Sequence, residues 1–270
     1  MSAPDFSLLD VIRSRRPLIH CVSNLVSAND CANLALALGA SPIMAQARQE
    51  MEAIAAASDA AVLNTGTPDE EKFRACLLRG RAAVELGQPV ILDPVGIGAS
   101  PWRLEWTETL LNGFAPSLLR VNPGEARALL HLESQAQGVD SPGLTDSALG
   151  GELARCLALE RRAIVLVSGP EDFISDGNQL WKVSGGSPVL ARVTGTGCML
   201  SVLCGIFAAV APDTFTAAVT AAAFWKSCSL RAETMAVRQG TGSFRVALLD
   251  AAGTLAAADC VGSVRAAPVD

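Results

Sequence analysis

The chain has 270 residues, half of them hydrophobic, only 18% charged, and no tyrosine, the profile of a compact α/β chain with a large buried fraction. One domain is expected at this length, with disorder only at the ends. A formal charge of −6 and no basic cluster longer than Arg13-Ser14-Arg15-Arg16 argue against nucleic acid and against an acidic membrane surface as partners, leaving a small molecule as the expected ligand.

Residues 1–16 carry no apolar segment followed by a small-residue cleavage site, and the eight cysteines show neither a C-x-x-C pair nor a zinc-closing spacing. The thiols therefore read as small buried hydrophobes in a reducing cytoplasm. Next, residues 20–33 hold Asn24, Asn29 and Asn33 among apolar neighbours; buried amides need partners, so these side chains either pin a loop or contact a polar ligand. His20 reads as a strand-end residue with a satisfied hydrogen bond rather than a general base. Strands are expected at 60–63, 89–92, 118–121 and 163–167. Between the first two, Pro68-Asp69-Glu70-Glu71 opens a helix with Phe73, Cys76, Leu77 and Val84 on one face and Gly87 after its end, which makes a βαβ crossover. The stretch 131–142 lacks a period and reads as a surface connection. A second crossover runs from a Thr145 cap through Leu149, Leu153, Cys156 and Leu157 into the strand at 163. Two tightly packed small-residue helices are expected at 198–211 and 214–223, separated by Pro212-Asp213. The first falls short of the roughly 20 residues of a membrane span, and a helix over 214–235 reads as an apolar surface available to another subunit. The alternation predicts an α/β fold with a largely parallel sheet covered by helices on both faces.

The chemistry centres on Val193-Thr194-Gly195-Thr196-Gly197-Cys198. Its glycines let the backbone approach an anion, and the amides opening the following helix point at that anion with the positive end of the helix dipole. The same field is expected to favour a Cys198 thiolate, so this turn offers both a polar catalytic group and an oxyanion site. Ligands of open α/β sheets sit beyond the carboxyl ends of the strands, where Asp93 precedes a Pro/Gly turn and Arg120, Asn122 and Glu125 follow one another. Asp93 and Glu125 are candidates for a hard cation such as magnesium; the plainer alternative has Asp93 capping its turn and Glu125 supporting a helix that starts near Pro123. Lys72, Lys182 and Lys226 are the only lysines, and none completes a P-loop. Ser168 lacks a G-x-S-x-G context. Cys198 and Cys204, nearly two helical turns apart, cannot pair as a redox disulfide.

These motifs in order resemble the hydroxyethylthiazole kinase family of the ribokinase-like superfamily. The resemblance rests on Asn24 with Asn29, Ala32 and Asn33; on Leu38-Gly39-Ala40-Ser41-Pro42-Ile43-Met44-Ala45; on Leu63-Asn64-Thr65-Gly66-Thr67; on Leu92 to Ala99; on Arg120-Val121-Asn122-Pro123-Gly124-Glu125; on 193–198; and on Gly240-Thr241-Gly242-Ser243-Phe244. Most superfamily relatives carry Asp in place of Cys198. The resemblance implies a three-layer ribokinase-like fold and ATP- and magnesium-dependent phosphorylation of the primary hydroxyl of 4-methyl-5-(2-hydroxyethyl)thiazole in thiamine salvage. Another small alcohol such as hydroxymethylpyrimidine is the alternative acceptor. It further implies that Cys198 with Gly195, Thr196 and Gly197 is catalytic and that Arg120, Ser168, Asn122 and Thr194 contact ATP. Met44, Asn24, Gly66 and Gly195 would line the thiazole pocket, with Asp93 and Glu125 organising magnesium, in a homotrimer whose active sites lie between subunits. Ser168 stands where Thr is frequent, and Ser27 where an aliphatic residue is frequent, making the pocket rim slightly more polar. No function is inferred for 133–142.

Overall fold

The computed structural model describes residues 4–132 and 146–269. Helix α1 (Leu8–Arg15) leads to β1 (Leu18–Val22), α2 (Ala28–Leu38), β2 (Ser41–Ile43), α3 (Met51–Ala57), β3 (Ala60–Asn64), α4 (Glu70–Glu85), β4 (Val90–Asp93), α5 (Pro101–Gly113), β5 (Leu118–Val121) and α6 (Pro123–Leu129). Then follow α7 (Asp146–Arg161), β6 (Ile164–Val167), β7 (Asp172–Ser175), β8 (Leu180–Ser184), α8 (Thr196–Ala208), α9 (Thr214–Met235), α10 (Thr241–Thr254), α11 (Ala257–Cys260) and β9 (Arg265–Pro268). All nine strands join one sheet in the order β2-β1-β3-β4-β5-β6-β7-β8-β9. The first six in that order are mutually parallel, and β7, β8 and β9 pair antiparallel.

The strands alternate their side chains between two helical layers, as the pleat requires. On β3, Ala60 and Val62 join a core with α1, α2, α8, α9 and α10, whereas Ala61 and Leu63 face the core built with α3 to α7. Ile91 of β4 belongs to the first core, and Val90 and Leu92 to the second. The result is the three-layer arrangement expected of a parallel sheet, buried on both faces.

The four expected strands correspond to β3, β4, β5 and β6, and the acidic helix start at 68–71 is that of α4, where the Asp69 carboxylate accepts the Lys72 amide at 2.7 Å. Two expectations are corrected. Over most of its length helix α9 is no free surface: its residues from Phe215 to Ser229 are buried within this chain, because it packs between α8 and α10, and only its last turn, with Arg231, Glu233, Thr234 and Met235, is exposed. Cys156 is exposed; the inward stripe of α7 consists of Leu153, Ala154, Leu157 and Ala158. The Thr145 cap and the 133–142 connection lie outside the described residues.

One close approach positions the site. A Cβ on Gly205 would meet Val62 Cγ2 at 2.4 Å, so only glycine lets α8 lie this flat on the sheet. The N-terminal turn of α8 is thereby carried to the carboxyl ends of the parallel strands.

Candidate active site

At those strand ends the polar side chains form a continuous directional chain. The parallel register sets Asn64, the last residue of β3, beside Asp93, the last residue of β4. Asn64 Nδ2 donates to Asp93 Oδ2 at 2.7 Å, and its Oδ1 accepts from Asn24 Nδ2 at 2.9 Å and from the Gly66 amide at 2.9 Å. The Asn24 nitrogen also donates to Cys198 Sγ at 3.3 Å, while its oxygen accepts the amides of Val26 and Ser27 at 2.9 and 3.0 Å. Both donors and both acceptor sites of Asn24 are thus used inside the chain. Its polar capacity is spent within the chain, one donor of it on Cys198, which leaves only its carbon face for a ligand.

Asp93, wholly buried, is the hub. Its Oδ2 also accepts from Ser201 Oγ of α8 at 2.8 Å, and its Oδ1 lies 3.3 Å from Arg120 Nη1. Arg120 in turn donates through Nη2 to Ser168 Oγ at 2.6 Å. Burial alone would weaken the Arg120 cation, but the carboxylates of Asp93 and Glu125 outweigh it and hold its pKa above the ordinary arginine value. The guanidinium lies directly against Gly197, where a Cβ would come within 2.5 Å of Nη2.

The loop at 193–198 opens α8 as expected. Gly195 is the N-cap in the left-handed region at φ 82°, a conformation that favours glycine, and it offers no side chain to compete for the first-turn amides. Thr196 Oγ1 bonds back to the carbonyls of Leu190 and Val193, both at 3.2 Å, and Thr194 is exposed. The thiolate expectation is corrected: burial first, and the nearby Asp93 carboxylate second, push the Cys198 pKa above the usual thiol value. The resting residue is a neutral thiol. Ser27 is buried against Gly195, whose Cβ would sit 2.9 Å from Ser27 Cβ, so its hydroxyl is no part of a polar rim.

Asn122 and Glu125 form a reciprocal capping box on α6. Asn122 Oδ1 accepts the Glu125 amide at 2.9 Å, and Glu125 Oε2 accepts the Asn122 amide at 2.8 Å. Glu125 Oε1 accepts the Gly96 amide at 2.8 Å. The helix-supporting alternative for Glu125 is therefore realised, yet burial and repulsion from Asp93 still raise its pKa. Among the described residues no group of three or more acidic, histidine or cysteine side chains could cage a metal. Two mutually repelling carboxylates, each keeping spare lone pairs, do fit a magnesium ion that arrives with phosphates and keeps its waters.

Beside Arg120 a cleft of about 410 Å³ runs between β6, the 185–191 loop and α8, lined by Asn122, Ser168, Gly169, Thr196, Gly197 and Lys226 among others. Lys226 of α9 stands 3.4 Å from the buried Asp172 carboxylate and donates to the carbonyls of Gly169 and Pro170 at 3.3 and 3.1 Å. On the other side of Cys198, Gly66 leaves so little room that a Cβ would lie 3.0 Å from Asn24 Cβ. The buried Lys72 ammonium ties that loop to the one after β1, donating to Gly66 and Ser23 carbonyls at 2.7 and 2.8 Å. Gln46 Nε2 reaches the same Ser23 oxygen at 3.0 Å, bringing in the partly buried strap that carries Met44. Asn64, Ser201, Lys72, Asp172 and Lys226 have no place among the site residues expected from sequence. Asn64 alone had a local signal, as a polar residue at a strand tip.

The largely parallel sheet, with a glycine-opened helix aimed at its carboxyl edge and an Arg–Asp pair beside a cleft, defines a phosphotransferase of ribokinase-like fold. A pyridoxal kinase from Staphylococcus aureus in complex with ADP shares that fold, with a TM-score of 0.66 at 14% identity, covering 93% of this chain and 98% of the other. A structure of hydroxyethylthiazole kinase from Pyrococcus horikoshii OT3 is much closer, with a TM-score of 0.89 and 34% identity over 98% of both chains. Hydroxyethylthiazole kinase from Listeria monocytogenes serotype 4a is 43% identical over 92% of this chain and 91% of its own length. The one from Methanocella arvoryzae is 41% identical over 90% of each. Residues 9–258 match the model of the hydroxyethylthiazole kinase family, and the chain belongs to that family.

Proposed function

We propose that this protein transfers the γ-phosphoryl group of ATP to the primary hydroxyl of 4-methyl-5-(2-hydroxyethyl)thiazole, yielding the phosphate ester and ADP in thiamine salvage. The observation that carries this reading is the junction at Cys198, where one helix turn meets both the Asp93–Arg120 cleft and the Asn24–Gly66 side. Arg120 and Ser168, with Asn122 and Thr194, bind the nucleotide phosphates. Met44, Gly66 and Gly195 border the thiazole.

The alcohol oxygen attacks the γ-phosphorus, the bond to the β–γ bridging oxygen breaks, and the hydroxyl proton passes late to the sulfur of the minor, thiolate form of Cys198. Charge spreads over the equatorial oxygens in this loose transition state, so positioned donors matter more than a strong base. The amides of residues 195–198 supply those donors, in the geometry of an oxyanion site. Asp93 and Glu125 would hold magnesium, which would supply charge neutralisation for the phosphates. The two carboxylates would hold the ion through its waters, which suits groups already hydrogen-bonded to the chain.

Leu25 and Val26, 81% and 62% exposed beside Asn24, support a homotrimer in which a neighbouring subunit covers the thiazole side. No helix among the described residues is long and apolar enough to cross a membrane, which is compatible with a cytoplasmic enzyme. A coupled ADP-release assay with ATP, magnesium and 4-methyl-5-(2-hydroxyethyl)thiazole, with the ester identified by mass, tests the reading. ATP binding without ester, or faster turnover of hydroxymethylpyrimidine, would replace the acceptor.

A further inference from the structure

Arg79 is wholly buried in α4, and no carboxylate lies within ion-pair distance among the described residues. A buried cation without a counter-ion is costly, so its partners matter. Its Nη2 donates to Ser58 Oγ and Gln88 Oε1 at 2.8 and 2.9 Å, and its Nε donates to His20 Nδ1 at 2.9 Å. Arginine can only donate, so Nδ1 of His20 must present its lone pair and the ring's single proton sits on Nε2. That Nε2 lies 3.0 Å from the carbonyl oxygen of Ala45, the residue following Met44.

We propose that Arg79 and His20 are positioning residues for the acceptor alcohol: the guanidinium fixes the histidine tautomer, and the histidine N–H fixes the strap at Met44 and Ala45. The inference rests on the reading that Met44 borders the thiazole. It assigns a task to a charged group that reaches neither the nucleotide cleft nor Cys198. Burial is the main cause, and the Arg79 charge a further one, that depresses the His20 pKa to about 4, which agrees with a ring kept neutral. The strap has a second tie, from Gln46 to Ser23, so loss of the histidine contact loosens it without releasing it.

The test is a steady-state comparison of His20→Phe, His20→Gln and Arg79→Met with the wild type. His20→Phe keeps a planar ring without a donor and raises KM for the thiazole alcohol about tenfold, the scale of one lost hydrogen bond between polar groups. KM for ATP and kcat stay within about twofold, a split that general loss of folding would not produce. His20→Gln retains a side-chain N–H and returns KM for the alcohol most of the way to wild type, while Arg79→Met raises it. An unchanged alcohol KM in folded His20→Phe, or equal rises for both substrates, overturns the proposal. Met44→Ala separates the two readings. If it raises the alcohol KM and His20→Phe does not, only the positioning role fails; if it has no effect, the reading of the strap as acceptor site fails and the inference with it. Should His20→Phe not fold, 15N spectra of the wild-type histidines decide the tautomer directly. A neutral His20 ring protonated at Nε2 at pH 6 is expected, and one protonated at Nδ1, or a charged ring, overturns the proposal.

Discussion

The side-chain nitrogen of Asn24 lies 3.3 Å from the sulfur of Cys198, and the amide that carries it cannot turn over, because its oxygen is held by two backbone N–H groups. An N–H aimed at sulfur favours the thiolate, while burial and Asp93 oppose it and win. At neutral pH only a minor thiolate fraction can take the proton, so kcat should climb as pH rises toward the elevated thiol pKa. Cys198→Ala, deprived of the acceptor but not of the amides around it, should lose about 10²–10⁴ in kcat. Cys198→Asp should stay active, and its rate should hold to lower pH than that of the wild type, because a carboxylic acid in the same surroundings ionises well below a thiol. pH–rate profiles of the wild type and Cys198→Asp check this; an alkaline rise shared by both would remove Cys198 as the proton acceptor.

Gly197→Ala tests the nucleotide side. The added methyl would lie 2.5–2.9 Å from Arg120 Nη2, Nη1 and Cζ, and Arg120 cannot retreat without breaking its contacts with Asp93 and Ser168. The residue sits inside helix α8, where alanine is the better helix former, so folding should persist. A guanidinium displaced by about 1 Å should cost on the order of 10²-fold in kcat/KM, with KM for ATP raised more than KM for the alcohol. Thermal melts and two-substrate kinetics decide; near-wild-type activity would mean Arg120 does not contact the phosphates.

Glu125 serves two ends that one substitution can separate. Glu125→Gln retains one acceptor oxygen for the two amides of Gly96 and Asn122, so it should lose about 1 kcal/mol of stability and keep the cap partly formed. Removing the charge should also raise the magnesium concentration needed for half-maximal rate, and added magnesium should restore part of the activity. Titrating magnesium against rate at fixed ATP measures this. An unchanged magnesium midpoint would confine Glu125 to capping α6.

The strands β3 to β6 and helix α4 were legible because each carries a local signature: a short apolar run, or an acidic proline-led start followed by a glycine. The site was legible where a residue stands at the end of such a run, as Asp93 and Arg120 do. Asn64 was harder because its partner Asp93 is distant in the chain and becomes adjacent only through the β3–β4 register. Lys72, Lys226 and Arg79 sit in helices whose local pattern reads as surface. Their burial follows from tertiary ties to loop carbonyls and to His20, which no periodicity announces. The tight packing expected at 214–223 holds, but the apolar surface expected over 214–235 is covered from within the chain, because an apolar helix shows which surface it needs to cover but not what covers it.

His20 gives a stability prediction independent of activity. Unfolded, the imidazole titrates near 6.5; folded, burial holds its pKa down to about 4. Between those values the unfolded chain binds the proton and the native chain does not, so unfolding free energy falls as pH falls through this window. The full difference is about 3 kcal/mol, reached near the lower value. Glu125 and Asp172, whose pKa values are raised chiefly by burial, act in the opposite sense, so the net slope alone is not diagnostic. The comparison that isolates His20 is the difference between the wild type and His20→Gln. Glutamine does not titrate, so its melting temperature should fall less steeply between pH 6.5 and 4, and the two curves should run parallel above pH 7. Parallel curves over the whole range would show that His20 takes up its proton equally in both states, and that its ring is not held neutral between Arg79 and Ala45.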